Sequence, residues 1–382
     1  MKKILCIIPR ITGGGAERFF ITFLRHIDRT SYQTVAVLVQ KGGGFDHEIP
    51  IDIPVYILNE EGKTLNMILP LGPLSYLSAL INVMKTEKPD AILSFGSLFN
   101  GAVAIAAFIA RISVPVVLNE VIHESSEIST HHGLSKWGRT LFLRWSYPLA
   151  STIIAVSNGV ALDLHDHFGL SPKKIQTINH GIDLEQVRSL GRESVDHPWL
   201  SADRKEFVIV ACGRFVPQKG FDILIAAMKE MPDNVRLILI GDGEKKDELA
   251  QQIKKFNLER KIDLVGYDRN PYRYMTKADV FVMPSLWEGF SALLLEAISL
   301  GCPLVVSDCP TGPRELIGDN ECGILVSPGD PLSLANGIKK LLSDEELRKK
   351  LSIVAIKRAE EFSARKSVNA YINLLSKLGG WL

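Results

Sequence analysis

What most constrains this chain is an alternation that runs from end to end: short aliphatic and β-branched runs, each followed by a segment with helical spacing. Runs at 2–8, 34–39, 91–95, 114–119 and 152–157 form one set, and runs at 207–212, 235–241, 262–266, 279–284 and 303–308 form a second. They are apolar throughout rather than alternately polar, so both faces of each strand are expected to be covered, the condition for a parallel sheet. Strand and helix in regular succession then predict two doubly wound α/β units in tandem. With 382 residues there is room for both, since about 150 residues is a common domain size. Hydrophobic residues make up 46% of the chain, enough for two cores. A polar stretch between Ile182 and Glu206 reads as the linker. The segment Ser363–Leu382 carries Val368, Tyr371, Ile372, Leu374, Leu375 and Leu378 at roughly helical intervals.

Composition excludes several classes. Lysine plus arginine number 44 against 43 acids, so no overall charge points to nucleic acid as a partner. Five cysteines fall in no CxxC pair, which fits free thiols better than a disulfide framework or a zinc site. The apolar run behind Met1-Lys2-Lys3 is short and leads into glycines, so it reads as a first strand rather than a secretion signal. Stretches 101–118 and 64–84 are interrupted by Arg111 and Pro115 and by Pro70 and Pro73. Neither offers the ~20 clean residues of a membrane span. A cytoplasmic protein is expected, with peripheral membrane contact as an option.

Three motifs carry chemistry. GGGAER (13–18) follows the first run. Its glycines, Gly14 and Gly15 above all, would let a phosphate approach the backbone at a helix N-terminus, although a plain tight turn has the same composition. It is not the dinucleotide fingerprint, because Arg18 stands where the third glycine belongs. GRFVPQKG (213–220) ends another strand. There, after Gly213, Arg214 and Lys219 suit a diphosphate better than a solvated loop, for guanidinium forks onto oxygens and ammonium acts as a point charge. PSLWEGFSALLLEAISLG (284–301) puts Glu288 at a turn and Glu296 within an apolar helix. A carboxylate among leucines needs partners, and the two hydroxyls of a ribose can both donate to it. Glu288, beside the backbone amides of Phe290, Ser291 and Ala292, is placed for sugar hydroxyls. The competing structural roles are a helix-capping acid and an ion-pair residue.

Taken together, GRFVPQKG and EGFSALLLE resemble the signature of the retaining GT-B-fold glycosyltransferases of family 4, with its E-x7-E motif. The likeness extends over nearly the whole chain. GGGAER resembles the family's N-terminal phosphate-side loop, VSNGV (156–160) and NHGID (179–183) its interdomain region, and LVGY (264–267) its base-binding turn. SDCPTGPREL (307–316) resembles a subgroup that makes bacterial cell-surface polysaccharides.

The resemblance implies a GT-B architecture, two Rossmann-like parallel-sheet domains facing a central cleft. Residues 1–182 would form the acceptor-side domain and 183–362 the nucleotide-sugar domain. Residues 363–382 would cross back as a helix. It implies that Arg214 and Lys219 bind the diphosphate, Glu288 the donor sugar, Glu296 the ribose, and Gly266 and Tyr267 the base. His123, in NEVIHES, resembles the family's histidine near the transferred sugar; taken alone it is equally a structural histidine. The expected reaction moves a sugar from a nucleoside diphosphate sugar, UDP-linked first and GDP-mannose second, to a glycan or lipid-linked acceptor. The same fold would also serve a sugar-nucleotide epimerase or a non-catalytic nucleotide-sugar-binding protein.

No DxD triplet or ligand-spaced His/Cys cluster occurs, so protein cations are expected to stand where other enzymes use a metal, and no cofactor is expected beyond the sugar nucleotide. Segment 131–147 mixes Lys136, Arg139 and Arg144 with Trp137, Phe142 and Trp145. It suits either an interfacial helix on anionic lipid or a core-facing helix with extended arginines.

Overall fold

The computed structural model describes residues 1–59, 74–130 and 134–381. The first ten residues of the 64–84 stretch, and His131, His132 and Gly133 of the basic-aromatic segment, lie outside them. The chain divides into two compact units, one of residues 1–181 with 364–382 and one of residues 182–363.

The first unit carries β1 (Lys2–Ile8), β2 (Tyr32–Leu38), β3 (Val55–Ile57), β4 (Ala91–Phe95), β5 (Val116–Glu120), β6 (Thr152–Ala155) and β7 (Ile175–Thr177). Their order across the sheet is β3-β2-β1-β4-β5-β6-β7, parallel throughout. The second unit carries β8 (Phe207–Cys212), β9 (Val235–Ile240), β10 (Ile262–Gly266), β11 (Val280–Met283), β12 (Leu304–Ser307) and β13 (Ile324–Val326). Its sheet runs β10-β9-β8-β11-β12-β13, again all parallel. The doubly wound architecture expected from the apolar runs is therefore present twice. Strands β3, β7 and β13 were not anticipated. Each has three residues and lies at a sheet edge, where pairing on one side and partial burial leave no continuous apolar run to read.

Both sheets are buried from the two sides. Ile4, Cys6, Ala36 and Leu93 pack with Phe19, Phe20 and Phe23 of helix Gly15–His26, and with Val368, Tyr371 and Leu375 of helix Ala364–Gly379. In the second unit Ile209, Ala211, Leu237, Leu239 and Val282 pack with Leu224, Ile225, Leu334 and Ile338. In each sheet the strand order reverses beside the unit's first strand, between β1 and β4 and between β8 and β11. Loops leaving the carboxyl ends of such strands diverge and open a crevice, where open α/β sheets hold ligands. No helix among the described residues is long and apolar enough to cross a membrane.

Candidate active site

The switch point of the second unit brings two of the motifs into contact. The loop after β8 runs through Gly213 and Arg214 into a short 3-10 turn, Pro217–Lys219. The amide of Leu286 donates to Gln218 O at 2.8 Å and Gln218 Nε2 donates to Trp287 O at 2.9 Å, so the loop is laced to the one after β11. This sets Lys219 Nζ 2.5 Å from Glu288 Oε1. Arg214 is exposed, and among the described residues its guanidinium meets no acid. The two cations differ: one is already seated on a carboxylate, the other is open to solvent.

Glu288 is held from several directions. It is only 6% exposed. Ser285 Oγ donates to its Oε1 at 2.7 Å, and Thr311 Oγ1 donates to its backbone carbonyl. Thr311 comes from the loop after β12, which fits against the 288–290 turn because residue 312 is glycine. A Cβ there would lie 2.7 Å from Gly289 O, at a φ of +81°. The pair of loops thus acts as one support for a single carboxylate. Phe290 is buried with its ring 5.7 Å from that of Phe362. Ser291 caps helix Ala292–Ser299, accepting from the amide of Leu294, and Ala292 opens that helix. Glu296, just over one turn in, is 3% exposed.

Gly266 ends β10 at a register shift, with Tyr267 beside it and exposed. The amide of Gly241 donates to Gly266 O at 2.8 Å. Sequence reasoning missed this third loop, Gly241–Glu244. A Cβ at Gly241 would come 1.9 Å from Gly213 O, and Phe215 N donates to Asp242 O at 2.8 Å. Glycine is required because the β8 and β9 loops touch backbone to backbone. The signal that could have found it was GDG directly after an apolar strand.

The first unit treats its candidates otherwise. Gly14 caps helix Gly15–His26, and the Glu17 carboxylate accepts from the amides of Gly14, at 2.9 Å, and of Thr12. An acid of the chain therefore occupies one of the amides that GGGAER would offer to a phosphate, and the amide of Thr12 just before it. His123 precedes helix Glu124–Ser129, with Nδ1 2.7 Å from Ser126 Oγ and Nε2 3.6 Å from the buried carboxylate of Asp163. Burial lowers its pKa, opposed by Asp163, so the neutral ring is favoured. Asp163 also accepts from the amide of Ser125 and lies 2.9 Å from His167 Nδ1.

Around the same loop stands a buried cluster that the sequence did not single out. The amides of Val121 and Ile122 donate to Glu120 Oε1 at 2.9 and 3.2 Å, and Tyr147 donates to Glu120 Oε2. Arg139 grips both oxygens of Glu124 at 3.0 to 3.3 Å and reaches Ser97 Oγ. Burial pushes both carboxyls up, Glu120 to about 7 and Glu124, with the charge of Glu120 added, to about 8. Of the two readings of segment 131–147, the lipid-facing one is corrected for Arg139, which is 8% exposed and ion-paired inside the unit. Helix Leu134–Ser146 does present Trp137, Leu141 and Trp145 to solvent at intervals of four, with Lys136 and Arg144 alongside. His180 of NHGID is fully enclosed, stacked on Phe19 at 3.9 Å and bonded to Asn119, which also accepts from Tyr371.

Among the described residues no group of three His, Cys, Asp or Glu side chains is placed to hold a metal ion.

Two sheets wound in this way, with loops meeting at the second switch point, define a GT-B protein, and comparison with known proteins identifies its family. Residues 195–358 match Glycosyl transferases group 1, and residues 13–186 match Glycosyltransferase Family 4. The chain is 31% identical over 371 residues to N-acetylgalactosamine-N,N'-diacetylbacillosaminyl-diphospho-undecaprenol 4-alpha-N-acetylgalactosaminyltransferase of Campylobacter jejuni, covering 96% of this chain and 97% of that one. It is 25% identical over 374 residues to the lipopolysaccharide core biosynthesis glycosyltransferase LpsD of Rhizobium meliloti, covering 96% of each. Among solved structures, Anabaena HepE crystallised with UDP superposes with a TM-score of 0.79 at 26% identity, covering 99% of this chain and 100% of that one. The same protein with UDP-glucose gives 0.79 at 25%, with the same coverage. The chain belongs to the GT-B glycosyltransferases of family 4, enzymes that move a sugar from a donor to an acceptor.

Proposed function

We propose that this enzyme transfers a sugar, with retention of configuration, from a nucleoside diphosphate sugar to a glycan or lipid-linked acceptor during assembly of a cell-surface polysaccharide. UDP is the preferred nucleotide and GDP-mannose the second candidate; the complexes of HepE with UDP and UDP-glucose and the diphospho-undecaprenol acceptor named for the Campylobacter relative support this order.

The observation that carries the reading is the apposition of Lys219 and Glu288, with Arg214 open beside them, where the β8 and β11 loops meet. Transfer leaves a nucleoside diphosphate, so the chemistry calls for fixed positive charge where that group departs. Arg214 and Lys219 supply it, Lys219 exchanging its carboxylate partner for phosphate oxygens. Glu288, thus released, accepts from hydroxyls of the donor sugar beside the backbone of Phe290, Ser291 and Ala292. Glu296 accepts from the ribose, Gly213 leaves space for the diphosphate, and Gly266 and Tyr267 flank the base. We assign His123, as a neutral imidazole, to the transferred sugar on the family resemblance. Gly14 and Gly15 border the phosphate side by their lack of side chains, since Glu17 holds the nearby amides. The Trp137–Leu141–Trp145 stripe with Lys136 and Arg144 would rest on anionic lipid, which suits a lipid-linked acceptor and a peripheral location. Sedimentation with acidic liposomes should fall when both cations are replaced by glutamine.

The test is a product assay with a labelled UDP-sugar and an undecaprenyl-diphosphate-linked saccharide, with and without EDTA. Labelled glycolipid under both conditions is expected. An epimerised donor, or no product from either nucleotide, overturns the reading. Loss in EDTA with recovery on adding manganese overturns the assignment of the leaving charge to Arg214 and Lys219 alone.

A further inference from the structure

We propose that Glu120, Glu124 and Arg139 are positioning residues for His123: two fully buried carboxyls that keep one proton between them and so fix the loop that presents the imidazole. This rests on His123 serving the donor sugar, as argued above. The loop is short and is held on both sides of His123. Before it, Glu120 at the end of β5 accepts from the amides of Val121 and Ile122. After it, Glu124 is gripped by Arg139 from helix Leu134–Ser146, and Arg139 is itself tied to Ser97. Displacement of either carboxyl would shift the backbone at residues 121–125, and with it the ring.

Charge explains why a proton stays. Glu120 and Glu124 have no solvent exposure, and among the described residues Arg139, paired with Glu124, is the one cation in the cluster. Two carboxylates against one guanidinium would leave a buried negative charge unbalanced, which is costly. The other described groups facing the pair do not offset it. Tyr147 donates to Glu120 but carries no charge, and its oxygen lies 2.9 Å from Ser97 O. Glu127, on the helix of Glu124, adds negative charge, while Asn100 is neutral. On the far side of the loop, Asp163 is paired with His167 and His123. Retaining one proton lets one carboxyl act as donor and balances the other against Arg139. Loss of that proton above neutrality leaves two like charges in one buried cluster, and relief requires water to reach one of them. The loop then loosens, and transfer slows without loss of nucleotide binding, which belongs to the other unit.

The test compares turnover and melting temperature across pH in wild type, Glu124→Gln and His123→Ala. In wild type, turnover should fall about tenfold per pH unit beyond an alkaline midpoint. Melting temperature should decline between the ordinary carboxyl value of 4.5 and about 8, because the folded state holds a proton that the unfolded chain releases. Glu124→Gln mimics the protonated acid permanently. It should keep neutral turnover within about threefold, move the alkaline limb up by about one pH unit or more, and flatten the melting curve against pH. A purely structural role would lower the melting temperature equally at every pH and leave the limb in place, which would overturn the proposal. Glu120→Gln serves as the second variant, with the same expectations. Wild-type turnover in His123→Ala would overturn the role of His123 itself. A disabled His123→Ala with an unchanged profile in both glutamine variants would overturn the positioning alone.

Discussion

Each unit sets a glycine-containing turn directly after its first strand, and the two turns use their polar groups in opposite ways. After β1, the amides of Thr12 and Gly14 are taken by Glu17, so the turn is closed on itself and starts a helix. After β8, the loop spends its backbone on neighbouring loops and projects Arg214 and Lys219. Glycine grants access to a backbone, but the charge placed around it decides what that backbone receives. An acid three residues into the helix makes a self-capped turn; two cations are what the proposed anion site requires.

The comparison is sharpened most by the two glutamates of the second unit. Glu296 is assigned to the ribose, present in free nucleotide, and Glu288 to the sugar, absent from it. Glu296→Gln should weaken binding of the free nucleoside diphosphate roughly ten- to 150-fold, the range of a hydrogen bond to a charged group. Glu288→Gln should leave that affinity nearly unchanged while impairing donor turnover. Calorimetry with nucleotide alone decides, and the reverse pattern would exchange the two roles.

The cations come next. Arg214→Ala or Lys219→Ala should lower turnover at least about tenfold, because bonds to the leaving diphosphate strengthen as charge develops there. Lys219→Ala has an added consequence, since it leaves the Glu288 carboxylate buried without its ion-pair partner, and should also reduce the melting temperature. Wild-type turnover in both variants would reduce the β8 loop to a surface turn and erase its contrast with the β1 turn.

Acid sensitivity separates the units further. Burial holds His180 neutral, with a pKa lowered to about 3. Its contribution is complete above the ordinary value near 6.5 and is lost as pH falls toward 3, by at most about 1.4 kcal/mol per pH unit. His180→Phe, which keeps the stack on Phe19, should flatten the stability of the first unit over that window. An unchanged slope in denaturant titrations would place the acid sensitivity elsewhere.

The smallest effect belongs to Glu17. Glu17→Ala should cost about 0.5–2 kcal/mol, the usual worth of an N-terminal cap, with no change in nucleotide affinity. A tenfold change in that affinity would mean that the β1 turn is an anion site after all, and the contrast between the turns would fail.

Much of the architecture was legible because parallel strands covered on both faces must be apolar throughout, and ten of the runs stand out for that reason. The short edges β3, β7 and β13 did not, since three half-covered residues leave no such run. Within the second unit, the chain order already put Glu288 and Glu296 on one turn and helix, and Arg214 and Lys219 on one loop. Local spacing determined that much. Tertiary structure alone decided that Lys219 reaches Glu288, that Thr311 braces it, and that Gly241 lets two loops meet, for these contacts join residues far apart in the chain. It also decided the fate of Arg139. Read along its helix, Arg139 was one of three cations among aromatics; folded, it is drawn inward because two buried carboxyls, Glu120 on a strand and Glu124 on a loop-borne helix, require a counter-charge that no neighbour in sequence provides.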